Sequence, residues 1–109
     1  MSDAKSSSPA LSPDEIETAL AALPGWRFEE DHLVREVRFP SFRDAVAWIV
    51  RISFEAERLN HHPELLNTYA SVRVRLCTHD AGGVVTGKDV ELARAMEHLL
   101  PSSVRADVE

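Results

Sequence analysis

The chain carries five histidines, and three of them are placed to act together: His61 and His62 side by side, and His79 at the end of a later strand pattern. Imidazole has an unperturbed pKa of about 6.5, so it can both donate and accept a proton near neutrality. A cluster of such rings points to general acid/base work on a small molecule in a shallow pocket. Glu57 stands one helical turn before His61, where a carboxylate could orient the ring or raise its basicity. The same residues have plainer uses. His61 and His62 can end a helix, where a cation suits the dipole, and Glu57 can be an ordinary helical charge. His32 and His98 read as ordinary surface or structural residues, Tyr69 as a turn aromatic, and Cys77 as a strand residue without activation. A metal is the rival use of three histidines. Adjacent residues such as His61 and His62 diverge, and HxH, HxxxH and HExxH spacings are absent, so no metal site is expected. Gly82-Gly83 has no following Lys-Ser/Thr to cradle phosphate, and no Ser or Cys sits on a recognisable nucleophile elbow.

These side chains need a scaffold, and the local signals describe one. Ser12-Pro13-Asp14-Glu15 is a capping box with proline at the first helical position, so a helix starts there and stops before Leu23-Pro24-Gly25. Trp26 and Phe28 alternate with Arg27 and Glu29, Glu30-Asp31 makes a turn, and Leu33, Arg35, Val37 and Phe39 share one face of a second strand, giving an antiparallel hairpin. Ser41 caps a helix running to about Asn60, in which Phe42, Ala45, Val46, Ile49, Val50, Ile52, Ala56 and Leu59 form a wide apolar arc, with Phe54 outside it. So wide an arc suggests cover from more than one direction, a second subunit included. Pro63 blocks continuation of the helix and leaves His61 at or just past its last turn. Leu65 to Thr68 reads as a short strand, Tyr69-Ala70-Ser71 as a turn, and Val72, Val74, Leu76 and Thr78 as the inward face of a fourth strand. His79 has the opposite parity and must reach any pocket from beyond the regular ladder. Thr86 caps a last helix with Asp89 at its third position, Val90, Ala93, Met96 or Glu97, and Leu100 along one side, and Pro101 as its stop.

The expected fold class is therefore α+β in the order αββαββα, with a loose tail over residues 1–10 and a single domain over 11–109. A chain of 109 residues buries roughly 65% of its unfolded surface, enough for a core without staples. Twelve Lys+Arg against eighteen Asp+Glu leave a net charge of −6, which argues against nucleic-acid binding. A single cysteine excludes an internal disulfide framework. No segment reads as a signal peptide or membrane span, so the expected compartment is the cytoplasm.

One combination is more specific than any of its parts: Glu57, then His61-His62-Pro63-Glu64, Tyr69, Thr78-His79-Asp80 and Asp89. It resembles the pterin-4a-carbinolamine dehydratase family, and the likeness extends from the first helix through Gly25-Trp26 to Asp89-Val90-Glu91-Leu92-Ala93. The resemblance implies a four-stranded antiparallel sheet with helices on one face. It also implies loss of water from a 4a-hydroxytetrahydropterin to give the quinonoid dihydropterin, without metal or organic cofactor. By the same resemblance His61 and His62 are the acid/base pair, His79 binds and polarises the pterin, Glu57 orients His61, and Thr78 and Asp89 support the loop and His79. Homodimers or homotetramers are implied as well. This chain departs from the family pattern at Leu65, where an aromatic is usual, at Ala70, where Asn is usual, and by one extra residue near Val84-Val85. A non-catalytic interaction or dimerisation protein on the same scaffold is the alternative reading.

Overall fold

In the computed structural model, which describes residues 9–105, the first helix begins where its capping residues require. In α1 (Pro13–Ala21), the Ser12 hydroxyl accepts from the Glu15 N–H and the Glu15 carboxylate accepts from the Ser12 N–H. Strands β1 (Trp26–Glu29) and β2 (His32–Arg38) pair antiparallel. Glu30 and Asp31 both take positive φ, 51° and 65°, the two-residue turn whose twist matches that of the flanking strands. Helix α2 (Phe42–Arg58) follows its Ser41 cap, then β3 (Glu64–Thr68), β4 (Ser71–Leu76), a 3-10 turn over His79–Ala81, and α3 (Gly87–His98). The strands form one antiparallel sheet in the order β1-β2-β4-β3. The α+β class and the αββαββα order stand, with one addition.

That addition is α4 (Ser102–Arg105), which follows Pro101, the expected stop of the last helix. Proline ends α3 but also suits the opening of a new turn; the Val104 N–H donates to the Pro101 carbonyl, and Val104 is buried in the core. Of the tail expected over residues 1–10, residues 1–8 lie outside the described residues, whereas Ala10 pairs with Thr86 and the Leu11 N–H donates to the Val85 carbonyl.

Strand parity sends Trp26, Leu33, Arg35, Val37, Val72, Val74 and Leu76 to the face that carries the helices, all buried. Against them α2 presents Ala45, Trp48, Ile52 and Ala56, and α3 presents Leu92, Ala93 and Met96. This corrects the expected arc of α2. Trp48, absent from that arc, is the largest fully buried side chain, stacks obliquely on Phe39 and donates from its indole to the Met96 carbonyl. Phe42 (58%) and Val50 (49%), placed inside the arc, are exposed together with Phe54 (69%). The helix has two apolar stripes, and helical periodicity alone does not say which one meets the sheet.

Arg35 is buried on the same face because Glu97 reaches it. The Arg35 Nε and the Trp26 indole N–H both donate to Glu97 Oε2 at 2.7 Å, which ties the hairpin to α3. Gly25, at φ +92°, passes directly over this guanidinium: a Cβ there would lie 2.7 Å from its central carbon. The packing brings the C-terminal end of α2, the start of β3, the exit of β4 and the N-terminus of α3 to one end of the sheet.

Candidate active site

Adjacent histidines diverge here because of one backbone conformation. Asn60 ends α2 in the left-handed region, φ 52°. Its N–H donates to the Glu57 carbonyl and the His61 N–H to the Ala56 carbonyl, the pair of bonds that defines a Schellman cap. The reversal folds His61 under the helix, where it is 8% exposed, and leaves His62 outside. Asn tolerates this conformation and Gly adopts it freely, whereas a β-branched residue resists it by about 1–2 kcal/mol. Asn60→Gly is therefore expected to hold stability within about 0.5 kcal/mol and Asn60→Val to lower it by about 1–2 kcal/mol, read from urea denaturation midpoints. Equal midpoints for the two variants would show that the reversal does not depend on residue 60.

Asp89 meets His61 from the opposite side. It occupies the third position of α3, fully buried; its Oδ1 lies 2.5 Å from His61 Nε2, and its Oδ2 accepts from the Thr78 hydroxyl (2.8 Å) and the Thr86 N–H (2.9 Å). The Thr78 hydroxyl gives its one hydrogen to Asp89, so the Thr86 hydroxyl, 2.7 Å away, donates to Thr78. A buried carboxylate with three donors is well satisfied, and it sets both the tautomer and the orientation of His61. With Nε2–H given to Asp89, the neutral ring keeps Nδ1 as its free acceptor.

Glu57 takes a different partner from the one the resemblance implies: its Oε1 is 3.2 Å from His62 Nε2, and both side chains are largely exposed. Burial decides this. Turning His61 into the core removes it from the surface on which Glu57 lies, and His62 comes within reach instead. Thr78 is buried as expected but stands beyond β4, where its N–H donates to the Val84 carbonyl and forms an isolated bridge with that residue. The chain then enters the 3-10 turn, so His79 arrives from outside the ladder.

His61, His62, Thr78 and His79 thus line one cleft of about 170 Å³, with Asn60 and Lys88 among its other residues. His62 and His79 also line an adjoining chamber of about 390 Å³ with His32, Glu64, Arg75 and Cys77. Burial, reinforced by the negative charge of Asp89, pushes the Cys77 thiol up, so it stays protonated and is no nucleophile. A roomier cleft of about 590 Å³ lies between α1, Phe28 and Val85. Its lining is mostly apolar, with Glu17 and Asp31 as its ionisable groups and no histidine, so it is not where proton transfer belongs. Among the described residues no three His, Cys, Asp or Glu side chains are grouped to hold a metal ion, and no helix is long and apolar enough to cross a membrane.

Three residues near this site were given no functional role from the sequence: Asn60 was only the approximate end of a helix, His32 an ordinary surface or structural residue, and Arg75 was not singled out. Asn60 was legible as a possible left-handed cap before His61. His32 and Arg75 were legible only through strand register: Glu64 faces Arg75, and Leu33 faces Leu76, so His32, Glu64, Arg75 and Cys77 fall on the sheet face opposite the helices.

With this geometry in hand, comparison with known proteins is specific. The family described as "Pterin 4 alpha carbinolamine dehydratase" matches residues 9–99. A protein of Opitutus terrae named "Putative pterin-4-alpha-carbinolamine dehydratase" is 55% identical over 89 residues, 82% of this chain and 92% of the relative. One of the same name from Streptomyces coelicolor is 46% identical over 89 residues, 82% of this chain and 88% of its own. A crystal structure described as "transcriptional coactivator/pterin dehydratase" from Brucella melitensis superposes with a TM-score of 0.80 at 34% identity, covering 84% of this chain and 99% of that one. A family match over residues 9–99, with relatives 46% and 55% identical over 82% of the chain, means that the chain belongs to the pterin 4 alpha carbinolamine dehydratase family.

Proposed function

We propose that the protein is a cytoplasmic dehydratase that converts a 4a-hydroxytetrahydropterin to the quinonoid dihydropterin, with His61 and His62 as its acid/base pair and His79 binding and polarising the pterin. The observation that carries this reading is the convergence of three imidazoles on one cleft, one of them fixed by the fully buried Asp89. In the reaction the bond from carbon 4a to its hydroxyl oxygen breaks as a proton reaches that oxygen. A ring nitrogen then loses its proton to form the new carbon–nitrogen double bond, and water leaves. His61, tied to Asp89 through Nε2–H, retains Nδ1 to accept the nitrogen's proton. His62, exposed beside Glu57, exchanges protons with water and supplies the hydroxyl. Each proton transfer contributes roughly 10²- to 10⁴-fold, or about 3 to 5.5 kcal/mol. The residues themselves supply both, so the scheme needs no cofactor.

A coupled pterin assay tests the reading: purified protein should shorten the lifetime of the carbinolamine well below that in buffer. A lifetime equal to the uncatalysed one would favour an interaction protein on the same scaffold, for which the exposed Phe42, Val50 and Phe54 of α2 provide a surface. The same residues support a homo-oligomer of the enzyme. Sedimentation as a monomer at assay concentration would refute that part.

A further inference from the structure

The cleft of about 590 Å³ beside α1 shares no lining residue with the histidine cleft or its adjoining chamber, so whatever it holds is independent of the dehydratase reading. It arises at an edge of the sheet. Phe28 pairs with Leu33 and so points to the helix-bearing side, but β1 is an edge strand, and the ring remains 43% exposed. Ile16 and Leu20, one helical turn apart, line the cleft from α1, and Val84 and Val85 line it from the segment before α3. That segment is held to the start of α1 because the Leu11 N–H donates to the Val85 carbonyl and Ala10 bridges to Thr86. The volume lies inside the roughly 300–1,000 Å³ usual for ligand pockets, and apolar surface left facing water in this way marks a binding site.

We infer that this cleft is a binding site for an amphiphilic amine, a small molecule with an apolar aryl or alkyl body and a nitrogen protonated at neutral pH. Leu11, Ile16, Leu20, Phe28, Val84 and Val85 supply the apolar contacts. The two ionisable groups, Glu17 and Asp31, are both acidic and both exposed, and no Lys, Arg or His stands among the described lining residues. Charge of one sign at the rim of an apolar cleft favours the opposite charge and rejects its own. A carboxylate or phosphate ligand would meet those two groups and a chain of net charge −6. An ammonium group gains from both carboxylates while staying hydrated at the rim, and its body lies against Phe28, a ring that stacks on another ring or attracts a cation. Size favours a small molecule over a folded partner. A standard protein interface takes about 800 Å² and roughly 20–30 residues from each side, whereas ten residues line this cleft. Nor do the ends of the chain match it in chemistry: residues 1–8 hold only Met1 and Ala4 as apolar side chains, and residues 106–109 include Asp107 and Glu109, which the two carboxylates repel.

The full chain is titrated with 4-phenylbutylamine, 4-phenylbutan-1-ol and 4-phenylbutyrate, which share a body and differ in charge. Binding is followed by the methyl NMR signals of Leu20, Val84 and Val85 and the ring signals of Phe28. The amine is expected to bind about ten-fold more tightly than the alcohol, the combined effect of two exposed charge pairs, and the acid more weakly than the alcohol. The amine's advantage should fall towards one at about 1 M salt, where charges are screened within about 3 Å. In the double variant Glu17→Gln, Asp31→Asn the amine and the alcohol are expected to bind equally. That variant should fold, because Glu17 is exposed on α1 and Asp31 sits at φ 65°, in a hairpin turn that Asn suits equally well. Phe28→Ala should weaken the amine and the alcohol alike. Signals of the cleft that do not shift with millimolar amine overturn the site. So does an amine that shifts the ring signals of His61, His62 and His79 instead, or an advantage over the alcohol that survives in the double variant. Contacts from residues 1–8 to Phe28 that the amine fails to displace, or occupancy that rises with protein concentration alone, would give the cleft to a segment of this chain or to a second copy and equally overturn the amine site.

Discussion

A chain with His61→Ala and His62→Ala together is expected to lose about 10²- to 10⁴-fold in kcat for carbinolamine dehydration, the range that positioned proton transfers contribute. The two single variants should separate chemistry from folding. His62 is an exposed residue whose hydrogen bond to Glu57 is itself at the surface, so His62→Ala should change stability by less than about 0.5 kcal/mol while slowing the reaction. His61 is buried against Asp89, so His61→Ala should slow the reaction and also cost about 1–3 kcal/mol, because the carboxylate loses one of its donors. Rates come from the coupled assay and stabilities from urea denaturation. A folded double variant that retains the wild-type rate would end the acid/base assignment, whatever the fate of the pterin site.

Asp89 is expected to be the most stability-critical polar residue of the site. Asp89→Ala removes the acceptor from the His61 ring N–H, the Thr78 hydroxyl and the Thr86 N–H at once, and breaking such a buried pair costs about 3–5 kcal/mol. Against a total stability of about 5–15 kcal/mol for a small domain, that is enough to leave much of the chain unfolded on mild heating. The informative variant is Asp89→Asn, which keeps the shape and one carbonyl oxygen. It is expected to lower kcat about 10²-fold by loosening the tautomer and orientation of His61, while Glu57→Gln, at an exposed pair, changes it only a few-fold. The Asp89→Asn effect should also largely vanish in a His61→Ala background, since a positioning residue acts only through the group it positions. A Glu57→Gln loss larger than that of Asp89→Asn would return the positioning role to the helical carboxylate.

That reversal of partners marks the boundary of what the sequence conveys. Ser12, Ser41 and Thr86 announced the helices, and Glu30-Asp31 announced the hairpin, because a cap or a two-residue turn is decided by atoms within four residues of one another. The candidate grouping of His61, His62 and His79 was legible too, from a proline that had to end one helix and from the parity that places His79 beyond the regular ladder of the last strand. The choice between Glu57 and Asp89 as the partner of His61 was not. Glu57 is near in sequence, but Asn60 in its left-handed conformation turns His61 away from it, toward a residue 28 positions further on.

Element order, the α+β class, the first hairpin and the candidate proton-transfer groups were thus legible in the sequence alone, since each rests on a local conformational preference or on the chemistry of a side chain wherever it sits. Three matters were decided only by the tertiary structure: which of the two apolar stripes of α2 meets the sheet, with Trp48 rather than Phe42 and Val50 in the core; which carboxylate holds His61; and that His32 and Arg75 face the same chamber as His62 and His79. Each depends on burial and register between segments far apart in the chain, where the free energy of removing a surface from water is settled by what packs against it and not by its neighbours along the backbone.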